Sequence, residues 1–308
     1  MRRDYRKSIK EINCSPYGGL EKIMSKITVE NVSYVYSAGT PFAVKALDGV
    51  SVNIESNCIT GIIGHTGSGK STLVQMFNGL LQPTSGRILL DGEDIWAKPK
   101  EIGAVRYRVG LVMQYPEYQL FEETVEADIA FGPKNMGLDD EEIKKRIAEA
   151  AAIVGLDEEH LKKSPFDLSG GQKRRAAIAG IMAMKPEVLV LDEPAAGLDP
   201  AGKKAIFEGI KAYGETTGAA VVIVSHSMDD MAKYCEDIIV MSGANLAMTG
   251  KRNEVFARGD ELEALGLGVP QITYLVRLLR AKGIDVPQDI YTVDDAERVL
   301  FDILGGAV

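Results

Sequence analysis

The sequence predicts an α/β fold built on a parallel sheet, and three stretches carry that expectation. VLVLDEP at 188–194 and AAVVIVSH at 219–226 are unbroken apolar runs that stop abruptly at polar residues, as strands covered on both faces do. CITGIIG at 58–64 is a third short run, ending in glycines and followed by the helical stretch STLVQMFNGLL. Helical patterns lie between the runs. In such sheets ligands sit at the carboxyl ends of the strands, here Gly64, Asp192 and His226.

The other elements follow along the chain. Residues 1–23 carry six basic and three acidic side chains without periodicity, and Met24 then opens a strand-like stretch. The expectation is a natural start at Met24, with 1–23 a disordered upstream extension; the rival is a basic tail with a role of its own. Residues 26–36 and 50–64 have strand texture, and GRILLDGEDI (86–95) reads as a strand ending in an Asp-Gly turn. From about 116 to 165 the chain is helical and acidic. Near the end, Ile272, Leu275, Val276 and Leu279 share one helical stripe. Thr292 opens a further helix with a Thr-x-x-Asp cap and the apolar face Val293, Ala296, Leu300 and Ile303.

The totals exclude several classes. The 308 residues carry a formal charge of −9, which argues against a non-specific grip on nucleic acid. No apolar run approaches the roughly 20 residues of a spanning helix, and the amino end lacks a secretory h-region. Cys14, Cys58 and Cys235 lie far apart and read as free thiols in a reducing compartment.

Gly64-His65-Thr66-Gly67-Ser68-Gly69-Lys70-Ser71, continued by Thr72, fits the phosphate-binding pattern G-x-x-x-x-G-K-[ST] in its strand-to-helix setting. The glycines let successive backbone N–H groups line an anion nest, and the following helix adds its positive end. Lys70 suits the β- and γ-phosphates, and the Ser71 hydroxyl suits Mg²⁺. His65 contributes its backbone and no side-chain chemistry.

Asp192 and Glu193 end a buried strand, where adjacent positions point apart and can divide the work. Asp192 would hold Mg²⁺, and Glu193 would orient and deprotonate an attacking water. His226 ends the next strand, within reach of a γ-phosphate. His160, in LDEEHLKK, reads as a solvated helix residue.

LSGGQ, Leu168-Ser169-Gly170-Gly171-Gln172, opens a helix with a hydroxyl, free N–H groups and a positive helix end. It is a second phosphate-binding device in a chain whose nucleotide already has a loop, so it suits a nucleotide held by another subunit. With it, residues 24 to about 257 resemble the ATP-binding-cassette (ABC) ATPases. The resemblance implies a P-loop NTPase of ABC type: a RecA-like parallel core, an antiparallel β subdomain and an α-helical subdomain at about 116–170, followed here by a helical region at 258–308. It implies two cassettes meeting head to tail, with ATP and Mg²⁺ between the phosphate loop of one and the LSGGQ of the other. It also implies a Q-loop glutamine at Gln114 that reaches metal and water, a D-loop aspartate at Asp199, a switch histidine at His226, and Tyr36, rather than Tyr34, stacking on adenine.

A narrower resemblance lies in QYPEYQLFEETVEADIAFGPKNMGL (114–138), which is similar to the Q-loop and next helix of energy-coupling-factor (ECF) ATPases, while LDEPAAGLDP resembles their A-prime type. Ala195 departs from the usual Thr or Ser. The resemblance implies a peripheral subunit on the cytoplasmic membrane face. It would pair with a related A subunit or with itself and, with a T component and S components, drive uptake of vitamins or transition metals. The carboxyl-terminal helices would then hold two A subunits together. Glu117, Glu122, Glu123, Glu126 and Asp128 form an acidic cluster expected to receive basic helices of the T component. The alternatives are the ATPase of a conventional importer and a soluble cassette protein.

Overall fold

A computed structural model describes residues 25–303, so the expectations for 1–23 and Cys14 lie outside the described residues. Two sheets form the frame. The smaller is antiparallel, in the order β2 (Val44–Glu55), β1 (Ser25–Tyr36), β4 (Ser85–Leu90), β5 (Glu93–Asp94). The expected Asp-Gly turn joins the last two, with Asp91 at φ 51° and Gly92 at φ 82°.

The larger sheet runs β10 (Asn245–Lys251), β9 (Asp237–Ser242), β3 (Ile59–Gly64), β8 (Ala220–Val224), β7 (Val188–Asp192), β6 (Val109–Val112). All are parallel except the edge strand β10. The unbroken apolar character of β7 and β8 has a plain cause. Val188, Val190, Val222 and Val224 pack toward the smaller sheet and α1 (Lys70–Phe77), whereas Leu189, Leu191, Val221 and Ile223 pack toward helices on the other side. With both faces dry, residues 188–191 and 220–224 are all apolar, and the polar Asp192 comes only at the carboxyl end of β7.

In chain order the helices on that far side are α3 (Val125–Asn135), α4 (Asp140–Val154), α5 (Glu158–Lys162), α6 (Gly170–Met182), α7 (Pro200–Thr217) and α8 (Met228–Tyr234), while α2 (Ile102–Arg108) precedes β6. Helix α1 stops at Phe77, short of the predicted Leu81, because Gly79 takes φ 68°. The two sheets are clamped at the amino end of β7. There Lys26 reaches Asp91 and Glu187 at 2.8 and 2.6 Å, and Arg108 pairs with the same two carboxylates.

The chain ends in α9 (Arg252–Ala257), α10 (Gly259–Ala264), α11 (Gln271–Ala281) and α12 (Val293–Ile303). Thr292 and Asp295 form the expected cap: Asp295 N–H donates to Thr292 Oγ1 at 3.1 Å. The predicted stripes pack only in part. Ile272, Val276, Leu279, Ala296 and Leu300 join Val286 and Ile290 in a small core, but Leu275, Val293 and Ile303 face outward.

Candidate active site

Strand order gathers the predicted residues. Val112 pairs with Leu191, Asp192 with Val224, and Val224 with Ile62, so the loops carrying Gln114, Asp192–Glu193, His226 and the phosphate loop leave one sheet edge side by side. The phosphate loop itself is built on close approaches. At Gly64 a Cβ would lie 2.3 Å from the Met241 carbonyl oxygen, and at Gly69 (φ 102°) 2.4 Å from that of Ala46. No larger residue fits either place.

Lys70 Nζ donates to the Gly64 and His65 carbonyl oxygens at 2.6 and 2.8 Å, so the ammonium is held across the loop mouth. Burial pushes its pKa below the usual lysine range, against the pull of Glu193 and Asp192. Tyr36 and Thr72 share a hydrogen bond of 3.2 Å, which ties the end of β1 to α1. A bulge at Asn31 (φ 50°) shifts the alternation of β1 by one, so that Val32 and Tyr34 continue the inward face of Ile27 and Val29. Tyr34 is thereby spent on the core, edge-on to the more exposed ring of Tyr36, 4.8 Å away.

Asp192 is buried and accepts a hydrogen bond from the Ser71 hydroxyl; burial raises its pKa, Ser71 and Lys70 lower it, and Glu193 raises it further. Glu193 takes φ 53°, and its N–H donates to the Val224 carbonyl oxygen at 2.9 Å. Its Oε1 meets His226 Nδ1 at 2.8 Å. A carboxylate only accepts, so the imidazole holds its proton on Nδ1. The His226 ring is 78% exposed and Glu193 only 13%, which leaves the histidine facing outward over the carboxylate. Gln114 is exposed beyond β6.

Among the described residues no cluster of three or more His, Cys, Asp or Glu side chains suits a metal ion. Asp192 and the Ser71 hydroxyl are hard oxygen donors, few in number. That set suits Mg²⁺, which is commonly held by one or two protein oxygens together with phosphate oxygens and water.

The LSGGQ residues stand apart: among the described residues no hydrogen bond joins 168–172 to 64–72. Leu168 is buried, and Ser169 caps α6 through a reciprocal box with Gln172. Two of the N–H groups expected to be free are thus used internally. Gly170 faces open space, with nothing within 4 Å of an added Cβ, and needs no positive φ. Asp199 caps α7 by accepting from Gly202 N–H at 3.0 Å.

Three expectations need correction. His160 is not a solvated residue. Its Nδ1 lies 2.6 Å from Asp157 Oδ1 and its Nε2 2.7 Å from Gln172 Nε2, so it holds the signature glutamine in place. The acidic cluster is also smaller than it reads, because Glu117 turns inward to Arg174 and Asp128 accepts from the N–H groups of Phe121 and Glu122. His65, read as backbone only, lies with Nε2 2.9 Å from the Leu265 carbonyl oxygen.

Residues 47–196 match the ABC transporter family. The energy-coupling factor transporter ATP-binding protein EcfA2 of Clostridium acetobutylicum is 52% identical over 282 residues, 91% of this chain and 99% of the relative. The protein of that name from Caldanaerobacter subterraneus subsp. tengcongensis is 51% identical over 91% of this chain and 98% of its own length. The chain belongs to the ECF transporter ATP-binding proteins. Among solved structures, cbiO1 of Clostridium perfringens, part of the ABC transporter complex cbiONQ, superposes with TM-score 0.70 at 40% identity, covering 82% of this chain and 99% of that one. A dimeric ATP-binding cassette in a post-hydrolysis state with ADP and Pi gives 0.67 at 28% identity, over 73% of this chain and 98% of that one. The ECF ATPase is accordingly an ABC-type ATP hydrolase serving transport, with the P-loop NTPase fold expected from its motifs. No helix among its described residues is long and apolar enough to cross a membrane.

Proposed function

We propose that this ECF ATPase works as one of two cassettes, a related A subunit or a second copy supplying the other, on the cytoplasmic face of the cell membrane. A T component and S components would complete an importer for vitamins or transition metals. Each ATP is held by the phosphate loop of one cassette and the Ser169–Gln172 signature of the other. One observation carries this reading. The signature is a self-capped helix start with an open glycine, Gly170, and no link to the phosphate loop of its own chain. A backbone surface presented in this way suits phosphate oxygens from outside the chain.

In the mechanism that follows, residues 64–72 wrap the phosphates and Lys70 shifts its hydrogen bonds from the loop carbonyls to phosphate oxygens. Ser71 and Asp192, with Gln114 nearby, would hold Mg²⁺, which when bound neutralises charge on the phosphates. Glu193 accepts a proton from the attacking water as its oxygen bonds to the γ-phosphorus, and the bond from that phosphorus to the β–γ bridging oxygen breaks, giving ADP and phosphate. His226, bonded through Nδ1, keeps that carboxylate turned to the water and presents its outer edge to the phosphate. Asp199 lies on the loop that would meet the second cassette, and Tyr36 offers its exposed ring to adenine. Exposed Glu123 and Glu126, with half-buried Glu122, remain for basic segments of the T component. The carboxyl-terminal helices, with Leu275, Val293 and Ile303 exposed, offer apolar surface to the second A subunit.

Glu193→Gln tests the reading. It should keep ATP binding, cut turnover about 100-fold or more, and trap an ATP-bound pair visible by light scattering. A variant that stays monomeric in ATP, in a wild type whose turnover per chain is independent of concentration, refutes it. Affinity purification from native membranes, scored for co-purifying integral proteins, tests the T and S assignment.

A further inference from the structure

Arg174 lies five residues beyond Ser169 on α6, and only 3% of it is exposed. Its Nε and Nη2 donate to the two oxygens of the Glu117 carboxylate at 3.1 and 2.9 Å, and its Nη1 donates to the Ala196 carbonyl oxygen. Its guanidinium also sits 6.0 Å from the centre of the Tyr115 ring. Glu117 comes three residues after Gln114, and Ala196 lies midway between Glu193 and Asp199. One planar fork therefore joins the signature helix, the loop after β6 and the loop after β7. A surface arginine can trade its partners for water. A buried one with all three arms engaged cannot, so these segments move together or lose the bonds.

We propose that Arg174 is a positioning residue for ATP hydrolysis, carrying the placement of the signature helix to Gln114 and to the loop from Glu193 to Asp199. It bonds neither the phosphate loop nor any residue assigned to adenine, so the grip of a single chain on nucleotide does not depend on it. When the signature meets nucleotide on a second cassette, α6 is drawn with it, and Glu117 and Ala196 follow the guanidinium. This inference rests on the two-cassette reading above.

The test uses the full-length chain. Binding of a fluorescent ATP analogue and steady-state hydrolysis are measured on the same preparation, and turnover is expressed per bound nucleotide so that unfolded protein does not count. Arg174→Met and Glu117→Gln should bind the analogue within about threefold of wild type and lose about tenfold or more of kcat, with KM shifting by less than about threefold. Arg174→Lys keeps the charge but not the fork and should recover less than half of the lost rate. A purely structural role would leave kcat per bound nucleotide at the wild-type level, and that result in either variant overturns the proposal. Should Arg174→Met fail to fold, Glu117→Gln carries the test, since it exchanges one oxygen for an amide nitrogen. Failure of the two-cassette reading shows separately, as wild-type turnover per chain independent of protein concentration.

Discussion

His65 Nε2 lies 2.9 Å from the carbonyl oxygen of Leu265, so a side chain of the phosphate loop holds a segment 200 residues further on. Gly266 (φ 75°) makes room for it: a Cβ there would sit 2.8 Å from that nitrogen. A second tie runs close by, from Gln271 N–H to Asp229 Oδ1 at 2.8 Å, three residues past His226. The segment from α10 to α11 is thereby fastened both to the loop that follows β3 and to α8. His65→Ala should raise hydrogen exchange of residues 262–269 about two- to tenfold, the loss of one modest hydrogen bond. His65→Gln, whose amide reaches a similar point, should stay near wild type. Equal exchange in all three would show that the tie holds nothing.

The Asp157–His160–Gln172 chain predicts a defect confined to turnover. Gln172 Oε1 accepts from Ser169 N–H at 2.8 Å, so its amide nitrogen must face His160, and His160 then holds its own proton toward Asp157. His160→Ala leaves the amide unpaired and the signature less firmly held. Expected is a drop in kcat of about three- to tenfold, from roughly 1 kcal/mol of lost hydrogen bonding. Single-chain nucleotide affinity, read by fluorescence titration, should change less than about twofold.

Tyr36 offers two separable contributions, a ring and a hydroxyl. If the ring stacks on adenine, Tyr36→Ala should weaken ATP binding by roughly 5- to 100-fold, the range of base–aromatic stacking. Tyr36→Phe loses the bond to Thr72 but keeps the ring, and should remain within about threefold of wild type. Calorimetric titration distinguishes the two. Equal losses would assign the affinity to the hydroxyl tie instead.

The clamp between the sheets predicts an acid sensitivity. The Arg108 hydrogen bonds, with help from Lys26 and against burial, hold the Glu187 carboxyl down at about 2, from an ordinary 4.5. A depressed folded pKa means stability present above pH 4.5 and lost as pH falls toward 2. Glu187→Gln should therefore lower the melting temperature at pH 7 and lose that deficit between about pH 4.5 and 2. Thermal melts across this window read the convergence; parallel curves would contradict it.

The legible part of this protein was the part written locally. Gly64 to Ser71, the Asp192–Glu193 strand end and the Ser169 cap each lie within a few consecutive residues. Backbone geometry and hydrogen-bonding chemistry act there over one turn or one strand end. β7 and β8 announced themselves because burial on two faces keeps both strands apolar up to Asp192 at the end of β7. Other features depended on position in space. The resemblance already favoured Tyr36 over Tyr34, and the structure adds that Tyr34 packs into the core while Tyr36 lies where the core ends along β1; the early stop of α1 followed from the backbone of Gly79. Leu275 and Val293 sit on good helical stripes but outside the small core, because periodicity says which face is apolar and not how far a neighbour covers it.

The sequence by itself determined the groups on offer: a glycine-rich strand-to-helix loop, two carboxylates at a strand end, a histidine on the next loop and a second glycine-rich helix start. Only the tertiary structure decided which charges are already engaged. Arg174 finds Glu117 57 residues away, His65 finds Leu265 200 residues away, and His160 turns to Gln172 across 12. Long polar side chains take their partners from whatever the folded chain places within a few ångströms, and no spacing along the chain encodes that choice.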